Sequence, residues 1–284
     1  MTIPDRVTIW QLPRAELRFR DVPVVMGIVN VTPDSFSDGG QHFDPARAVD
    51  FALQLVEQGA GILDIGGEST RPYSTAVDAD EELRRVLPVI QALAKQTSIP
   101  LSIDTSKVAV ARTALDSGAQ IINDVTGLRD PEMLILAAQS GAAVCAMHMQ
   151  GTPQTMQDQP KYADVVQEIY NYLRQRRDAL LAAGIARERI CLDPGIGFGK
   201  THEHNLTLMG DCHRFHDLGC PLLVGHSRKG FIAKILGDKD RSRDAGSIGA
   251  ACALAAQGVQ IIRVHDVMGT VDALRLFEAC GGGD

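Results

Sequence analysis

The feature that most constrains the fold of this chain is a junction that recurs along it. Each copy joins a predicted helix, through a glycine and a short link, to an aliphatic run; the copies lie at 58–64, 117–123, 140–144 and 257–263. Glycine readily adopts the positive φ that ends many helices, so each copy predicts a helix followed by a strand. The repeat therefore indicates an α/β protein in which helices and strands alternate.

Aliphatic runs suited to buried strands occur eight times, at 24–29, 61–65, 101–104, 121–125, 142–147, 190–193, 221–225 and 260–264. Helical patterns are predicted at 80–94, 107–117, 131–138, 164–183, 205–217, 247–256 and 267–279. Eight alternations in 284 residues favour a single (β/α)8 TIM barrel, with an open doubly wound sheet as the alternative. We expect the barrel to span 24–284, and 1–23 to form a short N-terminal hairpin or plug within the same domain.

Charge and composition restrict the class of partner. The net charge of -7 argues against nucleic acid or an anionic membrane as the main partner, so an anionic substrate must be held by local positive charge. No apolar run approaches the roughly 20 residues that a membrane helix requires. The six cysteines form no Cys-x-x-Cys pair, and the N-terminus lacks a basic segment followed by a long apolar one. We therefore expect a cytoplasmic protein.

Polar residues gather where the predicted strands end, which is where barrels carry their catalytic groups. Two of them have a purely structural explanation: Asp104 could cap the following helix, and Asp124 could accept hydrogen bonds from nearby backbone amides. The whole set is harder to explain in this way. It comprises Asn30, Asp64, Glu68, Ser69, Thr70, Arg71, Asp104, Asn123, Asp124, His148, Asp193, Ser227, Arg228, Lys229, Arg263, His265 and Asp266.

The chemistry of these residues indicates a heterocyclic substrate that carries phosphate. Asp104, Asn123 and Asp193 offer carboxylate and amide groups suited to a flat ring with several N–H groups. Ser227, Arg263 and His265 lie at the ends of the seventh and eighth strands, in the region where barrels commonly bind phosphate.

The first barrel strand leads into a second candidate feature. Its last residue, Asn30, could ligate a hard cation such as Mg²⁺ if phosphate oxygens and water complete the shell. The polar, glycine-bounded stretch 32–40 that follows suits an active-site lid, with a surface connector as the alternative.

Eight motifs at the strand ends carry a family resemblance. They are Asn-Val-Thr-Pro-Asp-Ser-Phe-Ser-Asp at 30–38, Gly-Gly-Glu-Ser-Thr-Arg-Pro at 66–72, Ser-Ile-Asp-Thr at 102–105, Ile-Asn-Asp at 122–124, Met-His-Met-Gln-Gly at 147–151, Asp-Pro-Gly-Ile-Gly-Phe-Gly-Lys at 193–200, Ser-Arg-Lys at 227–229 and Arg-Val-His-Asp at 263–266. In this order they resemble the dihydropteroate synthases. The resemblance implies a transferase of folate biosynthesis that joins 4-aminobenzoate to 6-hydroxymethyl-7,8-dihydropterin diphosphate, releases pyrophosphate and 7,8-dihydropteroate, and is a target of sulfonamides.

The resemblance also implies a role for individual residues, and each set follows. The pterin would bind to Asp104, Asn123, Met147, Asp193 and Lys229. The diphosphate would bind to Thr70, Arg263 and His265, with Mg²⁺ on Asn30. The 4-aminobenzoate would contact Thr70, Arg71, Pro72, Phe36, Phe198 and Ser227. Catalytic roles would fall to Asp104, Lys229, Arg263, His265 and Asp34.

Further expectations follow from the same resemblance. The chain would form a homodimer, and Gly230 and His226 would shape the aminobenzoate pocket and the fit of sulfonamides. We expect an SN1-like reaction, because an electron-rich dihydropterin can support a cationic methylene group as the bond to pyrophosphate breaks.

Several alternatives remain at this point. A related barrel could transfer the methyl group of methyltetrahydrofolate to a corrinoid protein, or could bind a pterin without catalysis; the motifs at 30–38, 227–229 and 263–266 favour the synthase. Two groups of histidine and cysteine, at 202–204 and 212–220, could bind metal, but packed or solvated side chains explain them better. The charged run 237–244 is interpreted as a connector between two helices.

Overall fold

A computed structural model describes residues 6–32, 44–70 and 74–282, and eight parallel strands within them form a nearly closed barrel. An antiparallel hairpin of β1 (Ile9–Gln11) and β2 (Glu16–Arg18) precedes it. The barrel strands are β3 (Val24–Asn30), β4 (Ile62–Gly66), β5 (Leu101–Asp104), β6 (Ile121–Asp124), β7 (Ala143–Met147), β8 (Ile190–Asp193), β9 (Leu223–Val224) and β10 (Ile261–Val264). A bridge between Leu192 and Leu222 joins β8 to β9. The predicted TIM barrel is confirmed.

Helices surround the barrel and connect its strands. They are α1 (Pro45–Glu57), α2 (Ala79–Gln96), α3 (Val108–Asp116), α4 (Pro131–Ser140), α5 (Val165–Ala182), α6 (His202–Gly210), α7 (Gly230–Leu236), α8 (Asp244–Ala256) and α9 (Val267–Ala279). The glycines that end the helices at the recurring junction, Gly59, Gly118, Gly141 and Gly258, have positive φ, from +69° at Gly141 to +122° at Gly118, as the sequence predicts. None of the described helices is long and apolar enough to cross a membrane.

The helix expected at 205–217 consists of two pieces. The first, α6, begins earlier because the side chain of Thr201 accepts a hydrogen bond from the backbone N–H of His204, whose ring accepts one from the N–H of Thr201. This cap uses histidine where glutamate or glutamine is usual, so the sequence pattern did not predict that the helix begins at His202. The second piece, Cys212–Leu218, is a 3₁₀ helix. Its buried apolar residues Cys212, Phe215 and Leu218 recur every three positions, which is the period of that helix.

Two apolar regions support the barrel. A large cluster lies between the strands and the helices. A second cluster packs Trp10, Leu12 and Phe19 of the N-terminal segment against barrel residues that include Met26 and Ile62. The indole Nε1 of Trp10 donates a hydrogen bond of 3.0 Å to the carbonyl oxygen of Arg189. The expected hairpin is therefore present, and it covers the amino end of the barrel.

The alternation of side chains along a strand positions the functional groups at the other end. Ile62, Ile121 and Ile261 belong to the cluster around Trp10. Because every second residue of a strand points to the same side, the residues two positions later also face the barrel interior. Those residues are Asp64, Asn123 and Arg263. The strands thus change from apolar to polar within the barrel.

Candidate active site

The centre of the polar barrel end is the guanidinium of Arg263, at the tip of β10. Its Nε donates to Oδ2 of Asp64 over 2.6 Å, and its Nη2 donates to Oδ2 of Asp104 over 2.8 Å. The same Asp64 oxygen accepts a hydrogen bond of 3.1 Å from Nδ2 of Asn123. Four strands therefore contribute to one buried network of charge.

Burial governs the protonation of this network. Desolvation raises the pKa of Asp104 to about 7, an effect that Arg263 opposes and that the charge of Asp64 reinforces. Burial disfavours the charged guanidinium, but the two carboxylates outweigh it and raise the pKa of Arg263. Among the described residues, Oδ1 of Asp64 and Oδ1 of Asp104 have no hydrogen-bond partner. Asp104, which lines the open cavity, therefore presents an acceptor to a ligand that brings an N–H group.

A second pair of charges lies at the ends of β8 and β9. Oδ1 of Asp193 accepts a hydrogen bond of 2.7 Å from the N–H of Gly195, and burial raises the pKa of this carboxyl. The Nζ of Lys229 donates to the carbonyl oxygen of Ile196 and lies 4.4 Å from the ring centre of Phe198. Burial lowers the pKa of Lys229 to about 7, despite the nearby charge of Asp193. Both groups are therefore closer to neutrality than they would be in water.

A cavity of about 1070 Å³ opens above these residues. Eight of the predicted site residues line it, namely Asn30, Thr70, Asp104, Phe198, Ser227, Lys229, Arg263 and His265. Three others, Asn123, Met147 and Asp193, are buried in the barrel and do not line it. The remaining four, Asp34, Phe36, Arg71 and Pro72, lie outside the described residues.

Met147 and Phe198 belong to a small apolar cluster beside the buried acceptors. Val125, Met149 and Met156 complete it. In the sheet, Met147 on β7 pairs with Asp193 on β8, so the cluster adjoins the carboxylate directly. This arrangement provides both a polar edge and an apolar face for a flat ring.

The turn at 226–229 links the cavity to α8. The Oγ of Ser227 accepts a hydrogen bond of 3.2 Å from the N–H of His265 and lies 3.0 Å from its Nδ1. Arg228 has a φ of +57°, unusual for a residue with a side chain, and its Nε donates to Asp244 over 2.6 Å. Its N–H donates to Oγ of Ser247 over 3.0 Å. These bonds to α8 hold the turn, and with it Ser227, in place.

The two residues expected to shape the aminobenzoate pocket differ in position. Gly230 lines the cavity, and a Cβ atom there would meet only Cε1 of His202, at 3.9 Å, so a larger side chain has room. His226 is fully buried and outside the cavity lining; its Nε2 lies 2.8 Å from the carbonyl oxygen of Ser247. His226 can therefore influence the pocket only through packing.

The structural explanation of the polar strand ends is right for one aspartate and wrong for the other. Asp124 accepts hydrogen bonds from the N–H groups of Thr126 and Leu128, over 2.7 and 3.0 Å. Asp104 does not cap the next helix, because α3 begins after Lys107 without a side-chain cap and Asp104 pairs with Arg263 instead.

Sequence analysis did not predict the positions of three basic residues in this region. Lys200 is only 2% exposed; its Nζ lies 3.0 Å from Nδ1 of His148 and donates to the carbonyl oxygen of Phe198 over 2.9 Å. The predicted connector is present between α7 and α8, but Lys239 and Arg241 within it line the cavity. A charge pattern reveals that a turn is hydrophilic, but not that it borders a cavity.

Comparisons with known proteins agree with this arrangement. The pterin binding enzyme family matches residues 26–265. The dihydropteroate synthase of Escherichia coli K12 is 49% identical over 257 residues, which cover 90% of this chain and 91% of that protein.

Solved structures give the same result. The dihydropteroate synthase of Xanthomonas albilineans, solved with 4-aminobenzoic acid, has a TM-score of 0.89 at 46% identity and covers 96% of this chain and 98% of its own. The Yersinia pestis dihydropteroate synthase, solved as a sulfonamide drug complex, has a TM-score of 0.90 at 44% identity, with coverages of 96% and 99%. The chain therefore belongs to the pterin-binding enzyme family and, within it, to the dihydropteroate synthases.

Proposed function

We propose that this enzyme joins 4-aminobenzoate to 6-hydroxymethyl-7,8-dihydropterin diphosphate at the carboxyl end of the barrel, releasing pyrophosphate and 7,8-dihydropteroate. The observation that carries the proposal is the network around Arg263. It combines a buried cation, suited to phosphate, with carboxylate and amide groups suited to a ring rich in N–H groups.

The pterin is proposed to bind on the barrel floor. Asp104, Asn123 and Asp193 would accept its N–H groups, and Met147 would pack against its ring. Support comes from the burial of all four residues and from Oδ1 of Asp104, which has no hydrogen-bond partner among the described residues. Lys229, which lies beside Asp193 and Phe198, would donate to an acceptor atom of the ring.

The diphosphate is proposed to bind on the cavity wall formed by Thr70, Arg263 and His265. Among the described residues, no group of three or more His, Cys, Asp or Glu side chains could hold a metal ion. Asn30 lines the same cavity, and its amide oxygen suits Mg²⁺ that takes its other ligands from phosphate and water. When bound, Mg²⁺ would neutralise part of the charge on the leaving pyrophosphate.

The 4-aminobenzoate is proposed to bind between Thr70, Phe198 and Ser227, with Arg71, Pro72 and Phe36 completing the pocket. The three described residues line the cavity. Relatives have been solved with 4-aminobenzoic acid and with a sulfonamide drug, and we propose that this chain binds both in the same place. A homodimer is also proposed on the family resemblance, and a cytoplasmic location on the six cysteines, all of which are free thiols.

The proposed mechanism is SN1-like. An aromatic amine is unprotonated at neutral pH and needs no strong general base, so departure of pyrophosphate is the harder step. Arg263 and His265 would stabilise the charge that develops on it. Asp104, with Asp34, would stabilise the cationic methylene group of the dihydropterin.

The experiment supplies the purified protein with the pterin diphosphate and Mg²⁺, with and without 4-aminobenzoate, and measures pyrophosphate and dihydropteroate. Formation of dihydropteroate is expected. Pterin binding without product would contradict the proposal and favour a pterin-binding module. Asp193→Ala is expected to weaken pterin binding by at least about tenfold, because it removes a buried charged acceptor; unchanged affinity would remove Asp193 from the pterin site.

A further inference from the structure

We propose that Asp64, a residue outside the cavity lining, orients both Asn123 and Arg263, and so fixes the pterin and diphosphate subsites relative to each other. The inference rests on the proposed function, since it assigns these two partners to those subsites. Asp64 would act through them and touch neither substrate, so it is a positioning residue.

The position of Asp64 in the barrel allows it to reach both partners. It faces the interior from β4, where it pairs with Ile28 and Ser102 on the neighbouring strands, and it is fully buried. The next interior-facing position of β4 is Gly66, which has no side chain to cover it. A Cβ atom at Gly66 would lie 3.4 Å from Cβ of Asp104. The absence of that atom leaves space above the carboxylate.

Asp64 determines which end of the Asn123 amide faces a ligand. A carboxylate can only accept hydrogen bonds, so the group of Asn123 that lies 3.1 Å from Oδ2 of Asp64 must be the NH₂ group. The carbonyl oxygen of Asn123 is then left to accept a hydrogen bond from the ring. Without the negative charge of Asp64 the amide could turn over, and it would present a donor where the proposed pterin offers a donor as well.

Asp64 also fixes the plane of the Arg263 guanidinium. The Nε donates to Asp64 and the Nη2 donates to Asp104, over 2.6 and 2.8 Å. Two anchors on a planar group leave it little rotational freedom. No hydrogen bond from Nη1 to another described residue is present, so this edge remains available for phosphate oxygens in the cavity that Arg263 lines.

A purely stabilising role does not account for Asp64. A buried ion pair is commonly no more stable than an apolar replacement, and Oδ1 of Asp64 has no hydrogen-bond partner among the described residues. Asp124 provides the contrast. It is equally buried at the same end of the barrel, yet both of its oxygens accept hydrogen bonds from the following turn. Asp124 is therefore a matched control.

The test compares Asp64→Asn with Asp124→Asn in the full-length enzyme. Calorimetry measures the binding of 6-hydroxymethylpterin, which has no phosphate, and of inorganic pyrophosphate with Mg²⁺. We expect Asp64→Asn to weaken both ligands by at least about tenfold, since each loses an oriented partner. We expect Asp124→Asn to lower the unfolding temperature but to change both affinities by less than about twofold. If Asp64→Asn does not fold, Asp64→Ser replaces it.

A titration tests the electrostatic interaction between Asp64 and Asp104, while the two affinities, compared with those of Asp124→Asn, separate positioning from stability. Asp104 is faced by Arg263 on β10, Asp64 on β4, Asp124 on β6 and Glu82 on α2. Because the charge of Asp64 raises the pKa of Asp104, its removal should shift the carboxyl carbon NMR titration of Asp104 to lower pH. Asp104→Asn assigns that signal, and Asp124→Asn should shift it less.

The outcomes separate the inference from the function on which it rests. Unchanged affinity for both ligands in Asp64→Asn would overturn the role of Asp64. Asn123→Ala and Arg263→Ala test the subsites in the same assays. If neither variant weakens its ligand, the proposed subsites are wrong; if both do and Asp64→Asn does not, only the positioning role is wrong.

Discussion

The two ends of the barrel are built from the same strands and differ in almost every physical respect. At the amino end, Ile62 and Ile261 pack around Trp10 in an apolar cluster. Two residues further along the same strands, Asp64 and Arg263 form a buried ion pair. At about 3.3 Å per residue, these layers are less than about 7 Å apart. The fold therefore assigns stability to one end and chemistry to the other.

The difference is visible in the cost of burial. Apolar side chains at the amino end gain free energy as they leave water. At the carboxyl end, burial raises the pKa of Asp104 and lowers that of Lys229, each to about 7. Both shifts mean that the fold disfavours the charged forms of Asp104 and Lys229. The same strands thus hold a region that stabilises the fold and a region that weakens it.

A substitution in the charged network at the carboxyl end should have the largest effect on activity. Arg263→Ala removes the proposed diphosphate contact and leaves Asp64 and Asp104 without their shared cation. We expect turnover of the pterin diphosphate to fall by about a thousandfold, because a donor to the leaving group is lost. Pyrophosphate release measures this. Arg263→Lys, which keeps the charge but not the planar fork, should recover only part of the loss. Unchanged turnover in Arg263→Ala would remove Arg263 from the diphosphate site.

A substitution in the apolar cluster at the amino end should lower the stability and leave the activity nearly unchanged. Trp10→Ala removes the largest buried side chain of the N-terminal segment, together with its hydrogen bond to the carbonyl oxygen of Arg189. We expect the free energy of unfolding to fall by about 3–4 kcal/mol, measured by denaturant titration. Trp10→Phe, which keeps an aromatic ring, should lose less. The kcat/KM at temperatures where the variant is folded should stay within about twofold of the parent. A larger loss of activity would show that the two ends are coupled.

The alternation of the chain made the barrel and the general location of the site predictable. The spacing of apolar residues and the positions of glycines depend on local chemistry. The eight strands and the polar residues at their ends could therefore be predicted from residues such as Gly118 and Asp104. The early start of α6 could not, because it depends on a histidine cap at His204.

The partners within the site were not predictable in the same way. That Asp64 binds both Asn123 and Arg263 depends on side chains meeting across three strands far apart in sequence. The burial of Lys200 against His148 is a contact of the same kind. Residue type identified which groups would gather at the barrel end, but only the packed structure defined which of them pair.

The free-energy cost of burying charged groups at the carboxyl end should make the stability of the protein depend on pH. In the folded chain burial lowers the pKa of Lys229 to about 7, below its ordinary value of 10.5. The cost of keeping Lys229 charged is therefore fully present below about pH 7 and disappears as the pH rises towards the value of the unfolded chain. We expect Lys229→Met to be more stable than the parent by about 1–2 kcal/mol at low pH, allowing for the lost bond to Ile196.

The measurement is denaturant unfolding of parent and variant across this pH range. The advantage of Lys229→Met should shrink steadily between about pH 7 and pH 10. An advantage that does not depend on pH would mean that Lys229 does not titrate in this window. Lys234→Met is the control, because Lys234 is exposed at the end of α7 and pairs with Glu203 at the surface.

The smallest expected effect comes from basic side chains on the surface at each end of the barrel. Lys239 and Arg241 line the cavity, and their side chains form no ion pair with other described residues. Both proposed substrates are anions, and the chain as a whole has a net charge of -7. Local positive charge at the opening should therefore accelerate their entry. We expect Lys239→Gln/Arg241→Gln to lower kcat/KM by about twofold to fivefold at low salt, with kcat unchanged.

A matched variant removes the same charge from the opposite end. Lys95 lies in the last turn of α2, and Arg14 lies between β1 and β2, so both belong to the amino side of the barrel. Lys95→Gln/Arg14→Gln should leave kcat/KM nearly unchanged, because these charges are farther from the opening than the screening length of about 10 Å in ordinary buffers. The loss in Lys239→Gln/Arg241→Gln should also vanish at about 1 M salt, where the screening length is about 3 Å. Equal losses in the two double variants would mean that net charge, and not its position at the cavity, controls substrate entry.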